Sequence, residues 1–407
     1  MHRLWTSLLV FLFILSSFAG AARAASPPQT TGEAVLLMDL RNGQVLYEKE
    51  GHRPMYPAST TKMLTAIIAL EKSRLDEMVT VPREATLVDG SAIGLQEGEK
   101  LTMEDLLYAL LLPSANDAAV TIACHIAGSV PAFADLMNEK AREIGARESH
   151  FVNSSGLHDP QHYVTAYDLA LIARYAMNNP TFRTIVSTSM REIKRPLADR
   201  SKGVPQEHLW NINRLLHRYE GVTGVKTGYT SEAGSCLVGS AARNGRELLA
   251  VVLHSQGMAV YNDAAALLDY GFSGFKPVQL VRGGQPVSSF TVKYGATTVQ
   301  ALAGGDFYLD FPVGEQPSIQ QKAVPRTDLQ APLSAGQKVG ELLFVDSRDR
   351  ELGKVDLVAA GPVGVKLTHR WTFRFGVALL ILLAFGLIRV AARRRRWRRV
   401  RVPRYLR

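Results

Sequence analysis

Apolar residues change their spacing several times along the chain, and each change predicts a different kind of element. Ala34 to Asp39 and Gln44 to Glu48 are two short apolar runs around Arg41-Asn42-Gly43. An Asn-Gly step between such runs predicts a β-hairpin. Met63 to Glu71 reads as a strong helix former, with Pro57 and Ala58 leading in and Ser59 at its start. Val79 to Pro82 and Gly90 to Gly98 are short and turn-rich. Thr102 with Glu104 and Asp105 has the form of a capped helix start, and Leu106 to Leu112 continues it until Pro113. Ser114-Ala115-Asn116 lies in the break. Asp117 to Ala127 resumes an apolar helix, and Ser129-Val130-Pro131 opens another that ends near Gly145.

Phe151 to Pro160 is punctuated by Asn, Gly and Pro and reads as a loop; Thr165 then caps a helix through Tyr175. Residues 190–221 look irregular and polar. Gly224 to Thr230 predicts a strand. Cys236 to Ala242 and Glu247 to His254 flank Asn244-Gly245, a second hairpin signal, and Asn262 to Tyr270 closes with a helix. From Pro277 the texture becomes β-like: Val278 to Val281, Phe290 to Val292, Thr298 to Leu302, Phe307 to Phe311, Lys338 to Val345 and Lys354 to Ala359 are separated by Gly and Pro. That pattern predicts a small all-β domain over residues 276–368.

Residues 371–390 form a last apolar element. Its uncharged part, Phe375 to Ile388, spans only about 21 Å as a helix, short for a hydrocarbon core of about 30 Å. Arg374 and Arg389 extend it by snorkelling. The run is apolar on all sides, which favours a spanning helix over an interfacial one. Met1 to Ala24 has a weakly basic start, an apolar stretch from Leu8 to Phe18 and a small-x-small site at Ala22-Arg23-Ala24, the form of a secretory signal.

Net charge is +10, but Arg389 to Arg407 hold ten arginines and no acid. The remaining 37 basic and 37 acidic residues balance, so the body is not expected to bind nucleic acid. Arginine excess after the apolar element places residues 391–407 in the cytoplasm and the body outside it. The two cysteines, Cys124 and Cys236, sit in apolar patterns and are expected as buried free thiols. No Cys/His cluster has metal-ligand spacing; His158 and His162 are separated by Asp159-Pro160, a loop signal, so neither a metal nor another cofactor is expected.

The candidate chemistry begins at Ser59-Thr60-Thr61-Lys62. Residues three apart share a helix face, and a hydroxyl at a helix N-terminus becomes a nucleophile when a nearby amine takes its proton. Taken singly, Ser59 reads better as a helix cap with a solvated lysine beside it. Ser273 and Lys276 have the same spacing but lie among Gly271, Gly274 and Pro277, where no helix is expected. Two further signals single out the first pair: Ser114-x-Asn116 in an inter-helix break and Lys226-Thr227-Gly228 on a strand. In this order the three form the set found in penicillin-binding proteins and class A β-lactamases.

Residues 33–275 resemble the low-molecular-weight penicillin-binding proteins that are D-alanyl-D-alanine carboxypeptidases, serine peptidase family S11. Beyond the triple, the resemblance rests on Phe151-x-Asn153-x-x-Gly156-Leu157-x-Asp159, Thr165-Ala166-x-Asp168-Leu169-Ala170, Gly221-Val222-x-Gly224 before Lys226, and Leu267-Leu268-Asp269-Tyr270-Gly271-Phe272. It implies an α/β (α+β) fold of β-lactamase/transpeptidase type. An antiparallel sheet is flanked by helices, with a mostly helical lobe inserted between the first hairpin and the Lys226 strand. The β-rich segment, more weakly, resembles the family's C-terminal domain.

The resemblance also implies roles. Ser59 attacks the carbonyl of the penultimate D-alanine of a peptidoglycan stem peptide, Lys62 takes its proton, and Ser114 relays that proton to the leaving D-alanine. Asn116 orients Lys62 and holds substrate amide. Lys226, remaining charged, and Thr227 attract the terminal carboxylate. The backbone N–H groups of Ser59 and Tyr229, the latter just after Gly228, form an oxyanion hole, and β-lactams acylate the same serine. Many relatives have an arginine before the closing helix; here Gln256 to Asn262 contains none, so carboxylate binding falls more heavily on Lys226 and Thr227, and either affinity for the free terminus is weaker than usual or His254 substitutes in part. A β-lactamase would need an acidic base, and no such motif stands out between Ser114 and Lys226. A catalytically idle wall-binding protein would not need the complete triple.

Overall fold

The computed structural model describes residues 26–202, 204–315, 318–369 and 371–400. The leader expected over residues 1–24 and the end of the arginine-rich tail lie outside them. In chain order the elements are β1 (Ala34–Asp39), β2 (Val45–Lys49), α1 (Lys62–Lys72), β3 (Met78–Thr80), β4 (Lys100–Thr102), α2 (Met103–Leu111), α3 (Asn116–Ala127), α4 (Val130–Ile144), α5 (Ala166–Met177) and α6 (Pro180–Ser187). There follow β5 (Met190–Glu192), β6 (His208–Trp210), β7 (Val222–Thr230), β8 (Gly234–Arg243), β9 (Arg246–Ser255), α7 (Ala259–Gly274), β10 (Phe275–Val281), β11 (Pro286–Phe290), β12 (Val299–Ala303) and β13 (Phe307–Pro312). The last are β14 (Gln320–Pro325), β15 (Lys338–Val345), β16 (Glu351–Ala359) and α8 (Trp371–Val400).

The chain divides into two units. The first runs to Lys276 and takes in Asp310–Glu315; the second comprises Pro277–Leu309 and Gln316–Arg407. A short piece of the β-rich region, Asp310–Glu315, thus belongs to the first unit. Buried charge and Gln44 hold that piece: the Asp310 N–H donates to Gln44 Oε1, and Gln44 Nε2 donates to the Asp310 carbonyl. Arg246 lies 3.3 Å from Asp39 Oδ2 and 2.8 Å from Asp310 Oδ1, and donates to the Gly271 and Phe275 carbonyls at the end of α7. Burial and the neighbouring Asp39 push the Asp310 carboxyl up to about 6.

The first unit is built on one antiparallel sheet with the order β2-β1-β9-β8-β7. Both predicted hairpins belong to it. Successive strand residues face opposite sides, so Leu36 and Met38 join a core under the helical lobe while Val35 and Leu37 join one under α7. Burial on both faces is why β1 reads as a continuous apolar run rather than an alternating one. On the α7 side, Leu267 and Leu268 are fully buried, each stabilising by about 1.5–3 kcal/mol. Helices α1 to α6 lie between β2 and β7 in the chain, the inserted lobe.

Helix starts follow the expected chemistry. Thr102, Ser129 and Thr165 each accept a backbone N–H through their side chains. Helix α6 and strands β5 and β6 fall in or beside the region that read as irregular. Helix α7 runs to Gly274, so Ser273 is helical after all. Its Oγ donates to Asp269 O, a capping contact, and Lys276 is exposed, so the pair still forms no site.

The second unit contains a five-stranded sheet, β11-β12-β16-β15-β14, around Val339, Leu342, Phe344 and Leu357. Strand β14 was not expected; it is an edge strand whose side chains are mostly exposed, so it lacks an apolar signal. Helix α8 is longer than its uncharged stretch, and Trp371–Trp397 is long and apolar enough to cross a bilayer. The cysteines are free thiols; Cys236 is buried and Cys124 only half-buried.

Candidate active site

Ser59 sits in a short 3-10 turn, Ala58–Thr61, that runs directly into α1 at Lys62. Neither that turn nor α1 uses a side-chain cap, so the capping role open to Ser59 from the sequence is not the one it plays. Two glycines permit the geometry. A Cβ on Gly156, whose φ is +84°, would stand 1.9 Å from the Ala58 carbonyl oxygen. A Cβ on Gly228 would stand 2.9 Å from the Ser59 backbone nitrogen. The Gly156 loop and β7 thus close on the nucleophile turn from two sides only because both lack side chains there.

Lys62 is completely buried, and its Nζ lies 2.9 Å from Ser59 Oγ. It also donates to Asn116 Oδ1 at 2.6 Å and to the Ser155 carbonyl at 2.8 Å. Burial drives its pKa well below the usual lysine value, and the Lys226 charge pushes the same way; Asp117 opposes them. A neutral amine keeps the two donated bonds and turns its lone pair toward the serine hydroxyl. Asn116 is itself fixed, its Nδ2 donating to the Asp89 carbonyl and its backbone N–H to that of Ser91.

Ser114 occupies the break between α2 and α3 with φ +68°, and Ala115 rather than Ser114 is the N-cap of α3. Its Oγ is buried and has no hydrogen-bond partner in the protein. An unpaired buried hydroxyl costs free energy unless something else satisfies it. Lys226 is buried too, donating to the Thr227 carbonyl at 3.0 Å, and burial lowers it to about 7. Burial thus works against the expectation that Lys226 remains charged.

These groups surround one cleft with two lobes. One, about 410 Å³, is lined by Ser59, Ser114, Thr227, Gly228, Ser235 and the apolar Ile212, Met258, Val260 and Tyr261. The other, about 360 Å³, is lined by Ser59, Asn116, Gly156, Leu157, Tyr229 and Thr230. No Asp or Glu lines either lobe among the described residues. All eight residues singled out from the sequence thus meet here: Ser59, Lys62 and Asn116 in direct contact, Ser114, Thr227, Gly228 and Tyr229 on the walls, and Lys226 behind them. His254 does not line the cleft; its Nε2 lies 3.4 Å from Glu33 Oε1. The substitute role expected for it is not supported.

Several supporting groups escaped the sequence reading. Asp117 accepts the N–H groups of Ile93 and Leu95. Arg195, fully buried against Glu99, donates to the Ile93 and Gly94 carbonyls. Together they clamp the segment that carries Asp89 and Ser91. His162 Nδ1 accepts from Val152 N–H, so its Nε2 donates to Thr61 Oγ1, and burial holds the ring neutral with a pKa near 4. Only Asp117, an acid in the first turn of an expected helix, left a sequence signal.

A sheet with helices on both faces and a serine–lysine pair at its seam defines a serine hydrolase of the penicillin-binding class. Residues 21–257 match the family described as D-alanyl-D-alanine carboxypeptidase, and residues 275–364 that described as penicillin-binding protein 5, C-terminal domain. The chain belongs to the D-alanyl-D-alanine carboxypeptidase family. It is 31% identical to D-alanyl-D-alanine carboxypeptidase DacF of Bacillus subtilis over 90% of this chain and 94% of that one. With D-alanyl-D-alanine carboxypeptidase DacD of Salmonella typhimurium the identity is 33%, over 89% and 95%. Among solved structures, penicillin binding protein 5 from Haemophilus influenzae superposes with a TM-score of 0.69 at 28% identity, covering 84% of this chain and 99% of that one.

Proposed function

We propose that the protein removes the terminal D-alanine from peptidoglycan stem peptides through an ester on Ser59. The observation that carries this reading is the 2.9 Å approach of a buried, pKa-depressed Lys62 amine to the Ser59 hydroxyl. Ser59 Oγ attacks the penultimate carbonyl while its proton passes to Lys62. The N–H groups of Ser59 and Tyr229 stabilise the oxyanion. The unpartnered Ser114 hydroxyl carries the proton on to the leaving amine. Asn116 holds Lys62 in register and binds substrate amide, while Lys226 and Thr227 face the terminal carboxylate. Water then takes the place of D-alanine and hydrolyses the ester.

The absence of a carboxylate from the described cleft walls supports slow deacylation and a penicillin-sensitive enzyme rather than a β-lactamase. Full-length protein in detergent is expected to release D-alanine from an acyl-D-Ala-D-Ala peptide. Penicillin is expected to add its mass to the peptide containing Ser59. No D-alanine and no adduct would refute the assignment.

The two lysines also set a pH dependence. Lys62 works as the neutral amine, so the rate rises as pH increases through its depressed pKa. Lys226 binds carboxylate as the cation, and in the empty cleft it loses its proton above about 7. The expected kcat/KM profile therefore falls on the alkaline side from about pH 7, whereas kcat falls at higher pH because the bound carboxylate raises Lys226. Coincident alkaline limbs in kcat and kcat/KM would contradict this assignment of Lys226.

For the membrane, α8 is proposed to span the bilayer with its arginine-rich end in the cytoplasm and the catalytic unit outside, facing the wall. The asymmetry of arginines about the helix supports that orientation.

A further inference from the structure

The larger lobe of the cleft offers hydroxyls from Ser59, Ser91, Ser114, Thr227 and Ser235, with Ile212, Met258 and Val260 among its apolar walls, and no charged side chain lines it among the described residues. Lys226, the cation behind it, is buried, and burial works against its charge. A carboxylate leaving water for this lobe is helped by a second cation that is charged before it arrives. Arg214 is positioned to be one. It is exposed, on the short turn Arg214–His217 that precedes β7, and the Asn213 side chain fixes that turn by accepting the Leu215 N–H. Arg214 Nη1 lies 3.7 Å from Met258 Sδ, and Met258 is part of the cleft wall. A thioether is a weak acceptor, and no carboxylate pairs with Arg214 among the described residues, so the guanidinium is uncommitted. Arg218, one turn further on, sits 5.7 Å from the ring centroid of Tyr261, another wall residue. Two arginines therefore lie against wall residues of this lobe.

We propose that Arg214 binds the carboxylate of the leaving D-alanine, as the outer of two cations of which Lys226 is the inner. The proposal rests on the carboxypeptidase reading above. Guanidinium offers paired N–H donors that match carboxylate geometry, and from the rim it captures the chain end before Lys226 is reached.

The test compares full-length wild type, Arg214→Ala and Arg214→Lys on two substrates that form the same acyl-enzyme. One is an acyl-D-Ala-D-Ala peptide; the other is an acyl-D-alanine methyl ester, whose leaving group carries no charge. Arg214→Ala is expected to raise KM for the peptide roughly tenfold with little change in kcat, to weaken the salt dependence of kcat/KM, and to leave the ester within about twofold. Arg214→Lys is expected to restore part of the peptide KM. Equal losses on both substrates, or no loss on the peptide, overturn the arginine's role. Wild type that cleaves the ester but not the peptide overturns the carboxypeptidase reading instead, and this proposal with it.

Discussion

Ser59→Ala is expected to abolish covalent labelling by penicillin and to lower D-alanine release by roughly 10⁴-fold or more. The physical case is that nothing else in the cleft replaces the lost oxygen. Ser114 Oγ is buried between α2 and α3 and has no amine bonded to it, whereas Ser59 Oγ alone has Lys62 Nζ within 2.9 Å. The same substitution is expected to leave folding nearly untouched. Ser59 caps no helix, its side chain is only half-buried, and Lys62 keeps its bonds to Asn116 and Ser155. Stability should change by about 0.5 kcal/mol or less. Intact mass after incubation with penicillin, set beside a thermal melt, separates the two effects. A full-strength adduct on the Ser59→Ala protein would move the nucleophile elsewhere.

That contrast between chemistry and folding runs through the site. Gly156 and Gly228 do no chemistry, yet they decide whether the Ser59 turn can lie against the loop and against β7. The residues that react are few and are held by backbone contacts to neighbours. Asn116 is pinned by the Asp89 and Ser91 carbonyls, and those in turn lie on a segment clamped by Asp117 and Arg195. Lys62, proposed above to take the serine proton, is buried in a place where a second lysine pushes against its charge. Rigidity and a low dielectric, rather than any unusual functional group, make the serine reactive.

What the sequence revealed followed local physics. Asn42-Gly43 and Asn244-Gly245 marked both hairpins of the sheet, and Thr102, Ser129 and Thr165 marked three helix starts, because those signals act over four residues or fewer. Ser59, Lys62, Ser114, Asn116 and Lys226 stood out because their types and order match the set shared by penicillin-binding proteins and class A β-lactamases. What remained hidden depends on contacts far apart in the chain. Arg195 meets Glu99, and His162 meets Thr61, across about 100 residues, with no pattern at either end. Strand β14 is polar and lies at an edge, so it lacked an alternation to read. The return of Asp310 to the first unit rests on Arg246 and on Gln44, both more than 60 residues away in the chain. His254 was reachable by sequence proximity alone, and its pairing with Glu33 shows why proximity is a poor guide.

Lys62→Met is the second large effect, and it tests the electrostatics rather than the nucleophile. Methionine keeps an unbranched stem of similar length, so the buried space stays filled, and it has no titratable group. Ser59 remains, with Asn116 still donating to the Asp89 carbonyl, but no base is within reach of the hydroxyl. Acylation by penicillin and D-alanine release should both fall by about 10²–10⁴-fold, the usual contribution of a positioned base. The acid-side rise of the rate with pH should disappear, because that rise is the deprotonation of Lys62. Asn116 Oδ1 and the Ser155 carbonyl each lose a donor, at about 1–3 kcal/mol apiece, partly offset because an amine no longer has to be buried. Pre-steady-state acylation measured across pH reads all of this at once. A slower rate with the pH dependence intact would mean that another group takes the serine proton, and the depressed pKa of this lysine would then serve packing rather than reaction.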